Sequence, residues 1–488
     1  MPAYLRALAS RNYRLYFAGQ IVSLAGTWMQ QIAMLWLAYR LSSSAFVLGT
    51  VGFASQIPIL IFGAVGGVIT DRFDRRRLLI ATQALSMVQA LALAAMAWLD
   101  SATPIHLIVL AFGLGCINAL DVPARQSIVV QLIDDKADLP NAIALNSFMM
   151  HATRFVGPAL AGWVVATAGE ALCFLFNATS YLAVLLALAA IRLPATTRRG
   201  PAAPPLQALR EGVRYTAGHR HIRASLLLIA SLSLLATPYT VLMPLFAKEI
   251  FGGDARLYGL LMGTAGCGAL GGAVLLALRS DTAGLGALVG RMAPLVGVAL
   301  AVFALSPSLW LSVPALLVLG FAVLLCVAGS NTLIQTAVDN DYRGRVMALF
   351  TMAFLGLAPL GSFAVGSLAH AFGVRATLVA CGLASCMAGL AYLMANQSLA
   401  QSTAWPMVSA IVCAGSFCSG WLMAFFYHSR GLICGAVQGG LFVLLLLGFG
   451  LSEGIEPTEM QLTRFALVFV FGCLGGVFSI LRTERHRH

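Results

Sequence analysis

The sequence predicts an all-α polytopic membrane protein: two six-helix bundles in parallel repeat, followed by about three extra C-terminal transmembrane helices. Three observations predict it. Of 488 residues, 60% are apolar and only 10% are charged, whereas a soluble protein carries roughly 25% charge. Apolar runs recur along the chain at lengths near the roughly 20 residues that one helix needs to cross a bilayer. The first twelve of those runs fall into two sets of six with shared glycine positions. The mean hydropathy of +0.88 and the 48 glycines suit a helical bundle better than a barrel of alternating strands.

The elements follow in order. Six apolar runs lie at about 15–39, 44–70, 78–99, 105–132, 139–167 and 170–192, and residues 1–193 read as the first bundle. Residues 194–222 form a linker with Pro194, Pro201, Pro204 and Pro205, then a stretch LREGVRYTAGHRHIR that reads as a basic helix at the cytoplasmic surface. Six more runs, at about 224–250, 256–278, 285–305, 308–336, 346–370 and 374–395, make a second bundle over 223–395. A short polar linker opens an appended module, 396–488, with runs at about 406–427, 431–451 and 462–481.

The net charge is +12, from 28 Arg and two Lys against 18 acids. These cations cluster in short segments between apolar runs, which points to the positive-inside rule and not to nucleic acid. With the N-terminus inside, cytoplasmic loops of the first twelve spans hold 18 Lys or Arg and the opposite loops four: Arg40, Lys248, Arg256 and Arg375. Arg6, Arg11 and Arg14 precede the first span without a small-residue cleavage site, so no removed signal peptide is expected. The ten Cys lie in or beside apolar runs without a CxxC pair and read as small core residues.

Gly63-Ala-Val-Gly-Gly67 recurs as Gly268-Ala-Leu-Gly-Gly272, an offset of 205. Ala144-Leu145, Gly157, Gly162 and Gly169 recur as Ala348-Leu349, Gly361, Gly366 and Gly373, an offset of 204. Parallel repeats of this kind belong to transporters that bind their solute between the halves.

Between the second and third runs stands Gly67-Val-Ile-Thr-Asp71-Arg72-Phe-Asp74-Arg75-Arg76-Arg77. It resembles the glycine–aspartate–basic loop signature of the major facilitator superfamily, with Asp74 where the family has a glycine. The resemblance implies a cytoplasmic gating loop of Gly67, Asp71, Arg72, Arg75, Arg76 and Arg77. Its counterpart in the second half has decayed to Leu278-Arg279-Ser280-Asp281. Val156-Gly157-Pro158-Ala-Leu-Ala-Gly162 resembles the Gly-Pro motif of the antiporter and exporter branches, where a missing hydrogen bond and small residues let the helix bend or pack closely. Gly26-Thr-Trp-Met-Gln-Gln31, Asp121-Val-Pro-Ala-Arg125-Gln126 and Tyr342-Arg-Gly-Arg345 are similar to the transmembrane secretion-effector branch, which includes siderophore exporters and macrolide-efflux relatives. Over residues 1–395 the resemblance implies the major facilitator fold.

Charges inside spans cost roughly 2.5–3.5 kcal/mol each on insertion scales and are functional candidates. Asn118, Asp121 and Arg125 share one face of the fourth span, and Ser147, His151, Arg154 and Pro158 one face of the fifth. A pair between Asp121 and either Arg125 or Arg154 would lower the cost of both charges. Gln20, Ser23, Thr27 and Gln31 form a stripe on the first span beside Trp28; Tyr239 on the seventh and Asn331 and Gln335 on the tenth add neutral hydrogen-bonding groups. Each of these residues either faces a substrate or proton pathway or ties helices together. Asp121 and His151 are the titratable options if protons drive transport.

These features predict a secondary active transporter of the bacterial inner membrane, exporting a siderophore-like solute or amphipathic drug by alternating access, with proton antiport implied by the resemblance. A lysophospholipid or other lipid transporter of the same fold is the alternative, and a non-transporting receptor or scaffold stands below it. An enzyme is not expected: His106, His151, His370 and His428 are scattered, and no GxxxxGK[ST] or HExxH spacing occurs. No metal and no cofactor are expected. The partners expected are a small-molecule substrate and membrane lipids. In the appended module, the pairs Gly415/Ser419, Gly435/Gly439 and Gly472/Gly476 suit close helix packing, for folding alone or for a homo-oligomer or partner contact. Fifteen full spans put the C-terminus outside, whereas Arg430, Arg482, Arg485 and Arg487 favour the cytoplasm and the acidic loop Glu453, Glu456 and Glu459 is neutral to the rule.

Overall fold

A computed structural model describes residues 3–191, 205–279, 281–396, 401–427, 431–452 and 459–485. Pro194, Pro201, Pro204, Ser280, Arg430, Glu453, Glu456 and Arg487 lie outside the described residues, as do the side chains of Gly67, Asp71, Arg72, Arg482 and Arg485. The chain divides into two compact units, 1–385 and 386–488.

The first half of the larger unit holds α1 (Arg11–Ser42), α2 (Ala45–Arg72), α3 (Arg75–Trp98), α4 (Pro104–Leu132), α5 (Leu139–Ala168) and α6 (Glu170–Ala190). Their ends follow local chemistry. Asp74 caps α3 by accepting from the Arg77 amide at 2.8 Å, and Thr103 caps α4 with Pro104 in the first turn. α5 ends at Gly169, whose φ of +83° suits a residue without a Cβ.

Helix α7 (Pro205–Gly218) leads into the second half. There α8 (Arg220–Ser231) and α9 (Tyr239–Leu245) belong to one span of residues Arg220–Ile250, interrupted by π-helical turns at Leu232–Ala236 and Phe246–Ile250. Then come α10 (Ala255–Ala277), α11 (Leu285–Leu305) and α12 (Leu309–Ala337). The next span joins α13 (Asn340–Thr351) to α14 (Ala358–Phe372) through a third π turn at Met352–Gly356, and α15 (Val374–Asn396) follows. Each π turn sits near a proline: Pro238, Pro244 or Pro359. Proline lacks the amide that would close a regular turn, so the ladder takes up an extra residue. The Thr237 amide accordingly donates back five residues, to the Leu232 carbonyl, at 2.9 Å.

Twelve helices among the described residues are long and apolar enough to cross a membrane. α5 is not among them, because Arg154 and His151 dilute its apolar window, but its 30 residues reach about 45 Å. It packs between α1 and α10.

The repeat is visible in the packing. A Cβ on Gly157 would stand 2.5 Å from the Trp28 Cβ of α1, and one on its equivalent Gly361 would stand 2.6 Å from the Leu234 carbonyl of the seventh span. Gly162 of α5 lies against Ala255 and Gly259 of α10; its equivalent Gly366 of α14 lies against Ala45 and Gly49 of α2. Gly373, with φ +85°, ends α14 as Gly169 ends α5. The crossings between halves therefore obey one pseudo-two-fold relation.

These crossings lie toward the periplasmic ends. Trp36 of α1 stacks on Tyr258 of α10 at 6.0 Å, the Tyr39 hydroxyl donates to Glu249 at 3.3 Å, and Phe46 and Phe53 of α2 pack on Phe363 of α14. The cytoplasmic ends show no equivalent glycine-to-backbone approach between halves among the described residues. Among the described residues, the close glycine crossings between the halves run from this end to Gly266, near mid-span.

α7 is held to the second half. Tyr215 stacks on Tyr342 at 4.5 Å and donates to Asp339 at 3.0 Å, and Glu211 pairs with Arg345 at 3.0 Å.

The smaller unit contains α16 (Gln401–Tyr427), α17 (Gly431–Ser452) and α18 (Glu459–Arg485). Gly472 of α18 faces Gly439 of α17, with a Cβ there 2.8 Å from the Gly439 Cα, and Gly476 faces Gly431 and Gly435. The small pair used by α16 is Ser416/Gly420, one residue along from the expected Gly415/Ser419. Ser416 donates to the Val468 carbonyl at 2.7 Å, whereas Gly415 meets only the ring edge of Phe442.

Candidate functional site

The cytoplasmic loop comes first. Arg76 reaches the free C-terminal carbonyls of α6, donating to Leu188 at 2.6 Å and Ala189 at 2.8 Å, where a cation also meets the negative end of the helix dipole. Arg75 donates to the Ser127 carbonyl of α4 at 3.4 Å, and the Arg77 side chain is exposed. Asp74, which stands where the resembling signature has glycine, keeps the turn sharp as the α3 cap.

Asp121 is 1% exposed on α4 and forms an ion pair with Arg125 one turn on. It also accepts from Thr82 at 2.8 Å and from Gln83 at 2.7 Å, both on α3. A buried carboxylate with three donors is a satisfied charge. Arg154 therefore has a different surrounding: of the two pairings open from the sequence, the structure forms Asp121–Arg125.

Arg154 lies half-way along α5 and half-buried. Its guanidinium carbon is 5.5 Å from the Trp28 ring centroid, a cation–π contact. His151, one turn toward the cytoplasm, and Tyr239 of α9 lie within its electrostatic reach. No hydrogen bond or ion pair ties the Arg154 side chain among the described residues. The backbone at Arg154 and Phe155 packs on Gly266 of α10, so the residue stands where α1, α5, α9 and α10 of both halves converge.

The other predicted positions separate. Gln20 and Ser23 are buried, Thr27 is half-buried and bonds back to the Ser23 carbonyl at 2.9 Å, and Gln31 is exposed. Asn118 is half-buried on α4, and Tyr239 is buried. Gln335 is exposed on α12 and donates to Asn331 at 2.5 Å. Gly157, Pro158 and Gly162 are the surfaces on which α1 and α10 approach α5.

Sequence reasoning overlooked a polar chain. Asn177 of α6 donates to Gln30 at 2.8 Å, Gln30 to Gln89 of α3 at 2.9 Å, and Gln89 to the Leu110 carbonyl of α4 at 3.2 Å. The signal was present: Thr82, Gln83, Ser86 and Gln89 interrupt the third apolar run on neighbouring turns. Among the described residues no three His, Cys, Asp or Glu side chains gather as a metal site.

Known proteins place this arrangement. The transmembrane secretion effector profile matches residues 3–414, and that of a family of unknown function matches residues 369–479. The staphyloferrin A transporter of Staphylococcus aureus is 26% identical, covering 79% of this chain and 96% of its own. The multidrug efflux pump Tap of Mycobacterium tuberculosis is 27% identical over 76% of this chain and 90% of its own. In fold the chain is similar to the inward-facing bacterial homologue of the lysosomal transporter Spinster, with a TM-score of 0.61, 16% identity and coverage of 81% and 98%. The inward-facing bacterial homologue of ferroportin gives 0.60, 16%, 78% and 98%. This multi-pass protein of the bacterial inner membrane has the major facilitator fold, and the chain belongs to the transmembrane secretion effector family.

Proposed function

We propose that the protein is a secondary active transporter that exports a small organic solute, siderophore-like or an amphipathic drug, by alternating access. The observation that carries this reading is the symmetric pair of glycine crossings between the halves, Gly162 on Gly259 and Gly366 on Gly49. Two halves, 1–193 and 223–395, rock about a central site while the 194–222 linker joins them. Two relatives, a staphyloferrin A transporter and a multidrug efflux pump, support it, the pump by its direction.

In this reading Gly67, Asp71, Arg72, Arg75, Arg76 and Arg77 form the cytoplasmic gate, and Gly157, Pro158 and Gly162 let α5 bend as the halves exchange. Gln20, Thr27, Gln31, Asn118, Arg154, Tyr239, Asn331 and Gln335 supply the polar positions along the pathway. Asp121, Arg125 and His151 are the groups through which proton antiport would run. Comparing the metabolites secreted by a deletion strain and its complemented parent tests the reading. Retention of a siderophore or drug inside the deletion strain is expected. Unchanged siderophore and drug accumulation with altered lipids would favour the lipid-transporting alternative.

A further inference from the structure

We propose that the exported solute carries an anionic group, a carboxylate or similar oxyanion, which Arg154 binds at the centre of the membrane. The inference rests on the export reading and specifies its substrate. Two cations on span helices are neutralised in place: Arg125 by Asp121, and Arg40, at one end of α1, by Glu170 at 3.0 Å. Arg154, near the middle of its span, has no carboxylate within ion-pair distance among the described residues. An uncompensated cation at that depth is costly, and a fold keeps it where something else supplies the counter-charge.

The surroundings are built for an anion. The Trp28 ring lies 5.5 Å from the guanidinium carbon and takes none of its N–H donors, whose planar array suits the two oxygens of a carboxylate. His151 and Ser147 continue the same face of α5, neither of them acidic, and Ser147 is exposed. The nearest buried acid, Asp121, is already saturated by Thr82, Gln83 and Arg125 and does not compete. Arg154 is only half-buried, on a stretch of α5 flanked by Trp28 of α1 and Gly266 of α10.

The test uses the full chain in sealed proteoliposomes and two dyes on one xanthene scaffold, 5-carboxyfluorescein (anionic) and rhodamine 123 (cationic). Wild-type protein is expected to move carboxyfluorescein faster than protein-free vesicles, with saturation. Arg154→Gln should cut that flux about tenfold or more, the scale of a charge-assisted hydrogen bond, and Arg154→Lys should retain part of it. Both variants should melt in detergent near the wild-type temperature, which separates lost recognition from lost folding. Wild-type flux of carboxyfluorescein by a well-folded Arg154→Gln variant overturns the proposal. Movement of rhodamine 123 alone overturns the anionic class and leaves the export reading standing; movement of neither dye counts against both.

Discussion

Replacing Gly162 by alanine adds one methyl group at the point where α5 of the first half crosses α10 of the second. That methyl would stand 2.5 Å from the Ala255 carbonyl oxygen and 2.8 Å from the Gly259 Cα. Both are backbone atoms, so no side chain can rotate away. Relief requires the helices to separate by roughly 0.6–0.9 Å, enough to restore ordinary van der Waals contact. Overpacking of this kind costs about 1–3 kcal/mol, and here the cost falls only on the state in which the periplasmic ends touch. The inward-open population should therefore drop by a factor of about 5–150 relative to the outward-open one. Spin labels at Ser101 and Ser308, on periplasmic loops of opposite halves, read that equilibrium by electron–electron distance measurement in a background without the native cysteines. A new, longer distance in Gly162→Ala is expected, and Gly366→Ala should reproduce it because the repeat gives it the same neighbours. An unchanged distance distribution together with a lower melting temperature would refute the reasoning and reduce the crossing to packing.

Two further outcomes follow from the polar contacts. Asp121→Asn leaves Arg125 buried beside a neutral group and should destabilise the fold by about 3 kcal/mol; Asp121→Asn with Arg125→Met should recover part of the loss, read as melting temperature in detergent. Tyr215→Ala removes the stack on Tyr342 and the hydrogen bond to Asp339, worth about 1–2 kcal/mol together; trypsin should then cut faster at Arg210, Arg214 or Arg220, with transport folding otherwise intact by melting temperature.

Apolar runs located the helices to within a few residues, since in lipid every backbone group must be satisfied within its own segment. The offset of 204 on the fifth span was legible for the same reason: a close crossing needs a missing side chain at a fixed place in each copy. The match of Gly63 to Gly268 at 205 was not such a pair: Gly268 packs on the Leu317 backbone, Gly63 meets only Ile59, and the crossings align Gly49 with Gly259 instead. What stayed hidden depends on rotation and on neighbours. Gln30, not Gln31, joins the polar chain, and Ser416, not Gly415, meets α18; each differs by one residue, which turns a side chain about 100° around the helix. Helices that are apolar on all faces offer no amphipathic stripe to fix that angle. Thr82 and Gln83 were readable as polar residues, but that both serve Asp121 becomes visible only when α3 lies beside α4.

The scaffold is symmetric and the chemistry on it is not. At the repeat offset of 205, Asp121 corresponds to Cys326 and Arg125 to Ser330, both neutral and buried on α12. At the offset of 204, His151 corresponds to Leu355 and Arg154 to Ala358. The glycines that set the crossings are duplicated, so opening and closing can be shared by both halves with similar geometry. The Asp121–Arg125 pair and the His151–Arg154 pair of α5 have no charged counterparts in the second half. A solute gripped equally by both halves would hold them together in every conformation, and the cost of separating them would rise with its affinity. On the proposed reading, a solute bound at Arg154 on α5 rides with one half while the other moves past it. On the same reading, replacing Arg154 changes which solute is carried, and replacing Gly162 or Gly366 changes when it is released.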